Sequence, residues 1–586
     1  MEHIKKKYEV VIVGGGLSGL CAAIASAREG AATALIHNRP VLGGNASSEI
    51  RMHICGADNH GHRANARETG ILEEILLENR KRNPQNSYSV FDTILWEKAK
   101  FQEGLDLYLN THMTDVVANE DKIEAVVAEQ ITTEKNFQIK GDIFIDATGD
   151  GTLAYLSGAD YVVGRESRDT FNEPHAPEKG DNCTMGNTLL FKTIDMGHPV
   201  PFEKPFWANT YTEEDLNGRE HGNSGFNYWW IELGGDELDV ISDGEVIRDE
   251  LLKAVYGVWD HIKNAGDHGA ENYALDWVGF LPGKRESRRI IGDYILNEGD
   301  LANNTQFEDA VAYGGWPMDM HAVGGLRTRI EPTEYINVPD VYQIPYRSLY
   351  SKNITNLMIA GRAISTSHMA FGSTRVMGTC SVVGQAAGTA AAMAAKRGCY
   401  PKEIINNIKE LQLKLLRDDA YIPGVVNNNP NNKARSAKIT CSSYEESCEC
   451  YNVTNGIART VHNTFNCWIS KPLDGKVQWI ELSFDSPISA DSIEIKFDSN
   501  LSKQLMLSMF KNGLEGQEKG IPKELVKDYE VNFMFKDNVV RTISISDNYL
   551  RFRKHELDNL KFDKVRINIS RTNGDERARI FEISIF

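Results

Sequence analysis

The strongest constraint on this chain lies near its start. An apolar, β-branched run at residues 8–13 (YEVVIV) meets Gly14-Gly15-Gly16-Leu17-Ser18-Gly19, and an alanine-rich stretch of helical propensity follows to residue 28. Residues 33–36 (TALI) are a second apolar run. Strand, glycine turn, helix and strand make a βαβ unit, whose right-handed crossover places the two strands side by side and parallel. The glycine spacing has a physical purpose. The first glycine makes the tight turn, the second lets a pyrophosphate approach the backbone, and the third lets helix and strand pack closely. The helix N-terminus then offers free N–H groups and its positive dipole end to phosphate. The acidic residue expected about 20 positions on, which would bind a ribose, is missing. The second strand ends at His37-Asn38-Arg39. Either His37 takes over that contact or the ribose is held elsewhere.

Further along, residues 66–80 and 91–100 read as helices, and residues 105–110, 115–118, 123–129 and 143–146 as strands. The last of these ends in Ala147-Thr148-Gly149-Asp150-Gly151. Residues 152–345 are richer in aromatics, Gly and Pro, with a helical period only near 249–264, and are expected to form a mixed domain with considerable sheet. Residues 357–360 are again a short apolar strand. Residues 375–395 are a helix whose Gly384, Gly388 and many alanines permit very close packing, and residues 401–417 read as a surface helix. Asn427–Asn432 (NNNPNN) is the best linker candidate, since Asn and Pro favour turns. Beyond it, residues 477–484, 492–497, 529–535, 540–545, 564–569 and 579–586 alternate with period two, and no long helix intervenes. That is the pattern of an all-β sandwich.

Several glycine-ended strands separated by an insertion suit FAD, whose long body crosses several strand ends, better than NAD, for which the first βαβ fingerprint suffices. The segments RPVLGGNASSEIRMHICGA (residues 39–57) and NLMIAGRAISTSHMAFGSTRVMGTCSVVGQAAGTAAA (residues 356–392) resemble those of the bacterial FAD-dependent oxidoreductase family. That family is glutathione-reductase-like in its cofactor domain and distantly similar to the flavoprotein subunits of succinate dehydrogenase and fumarate reductase. The resemblance covers about residues 8–400. It implies an α/β fold, with a Rossmann-like FAD-binding domain from residues 1–151 and 346–426 and an inserted α+β substrate domain at 152–345; the strand pattern beyond adds a separate all-β sandwich at 433–586. By motif position, Gly14, Gly16 and Gly19 would meet the pyrophosphate, while Arg39, Gly43 and Gly44 would line the adenosine and ribityl side. Met113 would meet adenine through its backbone, Thr148 and Gly149 would sit near the cofactor, and Gly361 and Arg362 near the pyrophosphate or ribityl chain. Many relatives have Gly-Asp where this chain has Gly361-Arg362. A cation there serves a phosphate but accepts no proton from a ribityl hydroxyl.

The flavin carries the hydride chemistry, so the protein must supply orientation, a proton acceptor and electrostatics. His53 and Cys55 follow the double glycine and should lie beside the flavin. His53 is a candidate general base, and either His53 or Cys55 a candidate covalent attachment point, set against a structural histidine and a small buried thiol. His60, His62, Arg63 and Arg67 come just after. His368 and Arg375 precede the helix whose N-terminus should face the flavin, where its dipole favours negative charge. His368 is the leading proton-transfer candidate and Arg375 a substrate or flavin-charge clamp, each with a structural role as the competing reading. Arg285, Arg288 and Arg289 either close the site from the insertion or form a solvated helix end. Cys441, Cys448, Cys450 and Cys467 match no common zinc spacing, so they are expected to be ordinary thiols and no metal site is expected.

Residues 477–484 (VQWIELSF) and 578–586 (ARIFEISIF) resemble discoidin-like, galactose-binding-like modules. The resemblance implies carbohydrate recognition, against docking or homo-oligomerisation as the plainer reading of a sandwich. The net charge of −18 is uneven: by count, residues 431–586 carry about +1 and residues 1–430 about −19. An acidic body argues against binding nucleic acid or anionic membranes. No apolar run is long enough to span a bilayer, the first eight residues are too polar for a signal peptide, and nine scattered cysteines fit a reducing compartment, so a cytoplasmic protein is expected. The expected function is hydride transfer between FAD and a small organic substrate, with a sugar, glycoside or polyol first. A C–C bond beside a carboxylate is the second enzymatic reading, and a carbohydrate-binding protein with a structural flavin the non-enzymatic one.

Overall fold

The computed structural model describes residues 2–222, 228–265 and 267–586. Contacts divide the chain into two compact units: Met1–Asn59, Gln85–Leu411 and Met506–Gln517 form the first, and His60–Pro84, Gln412–Leu505 and Glu518–Phe586 the second.

In the first unit the βαβ reading holds. The strand Glu2–Val13 passes through the glycine turn into the helix Leu17–Arg28 and on to the strand Thr33–Ile36. Five parallel strands lie in the order Leu105–Tyr108, Thr33–Ile36, Glu2–Val13, Lys135–Asp146, Leu357–Ile359. The same sheet continues as an antiparallel meander through Lys122–Gln130 and Thr111–Asn119. Val10, Val11 and Ile12 are fully buried, as expected for parallel strands covered on both faces. One cover is the pair of helices Leu17–Arg28 and Met377–Arg397. A Cβ on Gly384 would lie 2.1 Å from the Ser18 carbonyl oxygen, and one on Gly388 2.1 Å from that of Ala22. The small-residue pattern therefore exists to bring two helix backbones together.

Between residues 152 and 345 the expected sheet is fragmentary, consisting of ladders of two or three short strands. What organises this region is the helix Gly244–Asn264, whose Ile247, Leu251, Val255, Val258 and Trp259 share a core with Phe191, Tyr228 and Trp230. Phe191 and Tyr228 stack with ring centres 4.2 Å apart.

The second unit is built on antiparallel strands in the order Trp468–Ile469, Arg579–Ile585, Gln478–Phe497, Phe552–Thr572, Val526–Phe535, Asn538–Ile545, with Lys438–Cys441 beside Gln478–Phe497. The two strands expected at 477–484 and 492–497 are one, Gln478–Phe497, whose register shifts between Ser483 and Ile488 and again between Ala490 and Ser492. Bulges let a long strand bend and keep its partner, which is how Pro487 is accommodated. The linker expectation is overturned. Asn427 is buried and donates to Glu582 Oε1 at 2.7 Å. Asn432 donates to Ser584 Oγ at 2.9 Å and accepts the Ile585 N–H at 3.0 Å. Asn427 and Asn432 are thus contacts of the final strand. The helix Ile71–Arg82, read by sequence as part of the cofactor domain, also belongs to this unit. Arg67 donates twice to Glu73, at 3.0 and 2.7 Å, and also to the carbonyls of Ser499, Asn500 and Lys503.

Candidate active site

At the carboxyl ends of the parallel strands, where open α/β sheets bind ligands, lies a cleft of about 430 Å³. Its floor is the glycine turn. A Cβ on Gly19 would sit 1.8 Å from the Gly14 carbonyl oxygen, whereas a Cβ on Gly16 would meet nothing within 4 Å. Gly19 is thus required by the protein's own packing, and Gly16 faces open space. Gly43 and Gly44, both with positive φ, dock on this turn through the Gly43 N–H to the Gly15 carbonyl at 2.8 Å.

His37 lines the cleft with Asn38 and Arg39, but both its ring nitrogens are engaged by backbone. Nδ1 accepts the Gly15 N–H at 3.0 Å, and Nε2–H donates to the Val41 carbonyl at 3.0 Å. Burial above all, with a smaller contribution from the Arg39 charge, lowers its pKa to about 4, so the ring is neutral near pH 7. The ring ties together the glycine turn and the loop that follows. Arg39 is held by Glu49 through bonds of 2.9 and 2.8 Å. Thr111, His112 and Met113 complete this part of the lining.

Thr148 and Gly149 line the cleft, shaped by a residue the sequence reading passed over. Asp146 is fully buried and accepts the Thr148 N–H and O–H and the Ala154 N–H at 2.7–2.9 Å. Burial pushes its carboxyl above the usual range even against these bonds. Arg362 donates to Asp150 Oδ1 at 2.9 Å, and Lys284 to Oδ2 at 2.7 Å. Burial would raise the Asp150 carboxyl, but Arg362 and then Lys284 outweigh it and hold the pKa below its usual value. A carboxylate is therefore present beside Gly361-Arg362, donated by a different loop.

The remaining lining comes from Met52, His53 and Cys55, from Thr188 and Leu190, from residues 281–285, and from residues 375–377 with Cys380. The imidazole of His53 is buried and meets Phe510 edge-on with centres 6.4 Å apart. The Cys55 carbonyl accepts the Gly378 N–H at 2.8 Å. Arg375 donates to Asp319 Oδ2 at 2.9 Å. Asp319 lies 3.4 Å from His321 Nε2, whose Nδ1 is 2.6 Å from Glu232, which stands 3.3 Å from Arg285. Arg285 also donates to Thr188 Oγ1 and the Trp229 carbonyl. The two cleft-lining arginines are thus joined through a buried chain of two carboxylates and one imidazole. Burial pushes the carboxyls of Asp319 and Glu232 up, but their cationic neighbours outweigh it and hold both below the usual range.

His368 is not among the lining residues. Its Nδ1 is 2.9 Å from Glu286 Oε1, and its backbone N–H donates to Glu166 at 2.8 Å. Arg289 joins the same buried cluster, donating to Glu286 at 2.6 Å and Glu166 at 2.7 Å. The leading sequence candidate for proton transfer is therefore buried outside the cleft lining, held by Glu286 at its ring and by Glu166 at its backbone. The solvated helix end expected for the three arginines is likewise corrected. Arg285 and Arg289 are buried, and Arg288 lies 4.1 Å from the Tyr155 ring centre. Sequence reasoning missed Asp146, Asp150, Glu232, Asp319 and His321. Only Asp150 carried a local signal, being part of the glycine-rich strand end.

A family model described as FAD dependent oxidoreductase matches residues 9–415. No curated protein is similar in sequence. Among solved structures, a fucose binding module of Streptococcus pneumoniae, SpX-3, is similar to 26% of this chain and 96% of its own, at 14% identity and a TM-score of 0.21. The family 32 CBM from C. perfringens NanJ, in complex with galactose, matches 26% of this chain and 94% of its own at 15% identity and a TM-score of 0.19. The CpGH89CBM32-5 module of Clostridium perfringens matches 26% and 96% at 17% identity and a TM-score of 0.19.

Proposed function

The chain belongs to the FAD dependent oxidoreductase family, and from that membership we propose that it holds FAD in the cleft and transfers a hydride between it and a small hydroxylated substrate, with His53 as proton acceptor. The residues present fit the cofactor. The space at Gly16 is open where a pyrophosphate needs to approach. Ser18 Oγ, Arg362 Nε and Arg375 Nε are buried with no protein partner, and each belongs to a cleft-lining residue. Three unpaired polar groups in one cleft are costly unless a ligand completes them.

A bound flavin supplies the hydride chemistry; the chain's own residues do the rest. Gly14, Gly16, Gly19, Gly43 and Gly44 shape the floor, and His37 holds its two loops in register. Asp150, balanced by Arg362 and Lys284, offers an acceptor for hydroxyl groups, the role that the cationic Arg362 cannot fill. Thr148 and Gly149 set the wall, and Arg39 and Met113 the far side. His53 is the one sequence candidate for a base whose imidazole lines the cleft near Arg375. It holds the proton lost from the substrate, while Arg375 and Arg285 orient polar substrate atoms. Each arginine is already matched to a carboxylate, so the cleft offers hydrogen bonds more than bare positive charge, and this supports a hydroxylated substrate. The unpaired Nε of Arg375 favours, as a second reading, a carboxylate substrate altered at its C–C bond.

The observation that carries the proposal is the set of unpaired donors around the open turn. The test is anaerobic single-turnover bleaching of the flavin by polyols and sugars against dicarboxylates. Bleaching by the first group is expected, and His53→Gln should slow it by about 10²–10⁴-fold with the flavin spectrum unchanged. Bleaching by dicarboxylates alone would select the second reading. No bleaching by any metabolite would favour a binding protein with a structural flavin. Colour left in an acid-precipitated pellet would show attachment through His53 or Cys55.

A further inference from the structure

A second cluster of chemistry-bearing side chains lies among residues 213–268, outside the cleft lining. Glu213, His221, His261 and His268 each offer one ligand atom, and these atoms all lie within 4.8 Å of one another. They come from separate stretches: Glu213 and His221 from a loop, His261 from the last turn of the helix Gly244–Asn264, and His268 from just beyond it. We propose that these four residues form a structural site for one divalent transition-metal ion of the zinc class.

The distances are those of a coordination shell. With zinc–nitrogen bonds of about 2.0–2.1 Å, neighbouring ligand atoms of a tetrahedron are about 3.3 Å apart. His261 Nε2 and His268 Nε2 are 3.1 Å apart, and they lie 3.2 and 3.3 Å from Glu213 Oε1. His221 Nε2 is 3.2 Å from Glu213 Oε2. The ring centres of the three imidazoles form a nearly equilateral triangle with sides of 4.9, 5.1 and 5.2 Å, as three rings around one centre should.

The surroundings prepare the ligands. The Nδ1–H of His221 donates to the Arg219 carbonyl, which leaves Nε2 with its lone pair toward the cluster; a partner of this kind on the distal nitrogen is what orients metal-binding histidines. The imidazole side chains keep only 7–11% of their surface exposed, while Glu213 keeps 59%, so the site is nearly closed and has an entry on the carboxylate side. Asp267 Oδ1 also lies 3.2 Å from His268 Nε2. Three imidazoles and one carboxylate are a borderline donor set, unlike the all-oxygen sets of calcium and magnesium, and four protein ligands leave no open position, which marks a structural rather than a catalytic ion. The ion would pin the loop at 213–221 and the chain at 268 to the end of the helix that organises this region.

The test uses the full-length flavoprotein, stripped with a chelator and titrated with Zn²⁺ against a chromophoric competitor. Cobalt substitution then reports geometry and donor type. Expected are one zinc per chain, a rise in melting temperature, and a tetrahedral Co²⁺ spectrum without thiolate charge-transfer bands. His261→Gln/His268→Gln should weaken binding by about a hundredfold or more and abolish the thermal shift. If that double variant does not fold, judged by circular dichroism and FAD retention, Glu213→Gln on the exposed carboxylate replaces it and should still lower the affinity. No stoichiometric zinc in the wild type, equal binding in the folded variant, or thiolate bands in the Co²⁺ spectrum would each overturn the site.

Discussion

Two glycines of the same motif have different physical reasons to be glycine. Gly19 is excluded from carrying a side chain by the Gly14 carbonyl 1.8 Å from its Cβ position, whereas Gly16 has empty space and ordinary negative φ. Gly19→Ala should therefore destabilise the apoprotein by several kcal/mol through overpacking, on the order of 1–3. Gly16→Ala should leave apoprotein stability within about 0.5 kcal/mol yet weaken FAD retention. Melting curves of both apoproteins, with FAD titrations, check this; equal FAD affinity in Gly16→Ala would remove the phosphate role of that space. His37 makes a pH-dependent contribution. Its pKa is about 4 in the folded chain, against about 6.5 for an ordinary histidine. The unfolded chain therefore takes up the proton first as pH falls. The stability this ring contributes is complete above about pH 6.5 and lost progressively between there and about pH 4, amounting to about 3 kcal/mol. Urea titrations across that range should show a steeper acid loss in wild type than in His37→Gln. Parallel pH slopes would mean that the ring does not stay neutral.

Among elements, the relay from Arg375 through Asp319, His321 and Glu232 to Arg285 joins the strands Met318–His321 and Glu232–Leu233 to the cleft wall. Asp319 is matched to Arg375 and Glu232 to Arg285, so removing either carboxylate leaves a buried cation without its partner. Asp319→Ala should cost about 3–5 kcal/mol and slow flavin reduction by freeing Arg375 to move. Chemical denaturation at neutral pH measures the first effect. A loss below about 1 kcal/mol would show that solvent already screens the relay. The Asp319 carboxyl is held far below its usual range, with burial opposing and His321 and Arg375 prevailing. The part that Arg375 contributes is therefore complete above about pH 4 and lost only in stronger acid. None of these contacts has a sequence signature, since the five partners are scattered over residues 232–375. The close helix pair is the opposite case: Gly384 and Gly388 announced it in the sequence, and the 2.1 Å approaches explain why.

For the whole molecule, the charge asymmetry seen in the sequence separates an acidic oxidoreductase body from a nearly neutral β unit, but the dividing line falls where the chain alone does not mark it. Residues 60–84 join the β unit, and within it Arg67, with its side chain 4% exposed, donates to Glu73 and to carbonyls near residue 500. Arg67→Ala would leave Glu73 buried without its cation and should lower the stability of that unit by about 3–5 kcal/mol, read as a shift of one denaturation transition. An unshifted transition would mean that this segment does not support the β unit. The sequence by itself determined the βαβ cofactor scaffold, the cleft glycines, the close helix pair and the all-β character of the C-terminal region. Each depends on steric demands or periodicities expressed within a few consecutive residues. Tertiary structure alone decided that His368 lies outside the cleft lining and His53 in it, that Asp150 supplies the carboxylate missing at Arg362, that Asn427 and Asn432 stitch a strand edge, and that three histidines from two stretches meet Glu213. These outcomes rest on hydrogen bonds and ion pairs between groups far apart in the chain, whose partners are set by how the backbone folds and leave no mark in local spacing.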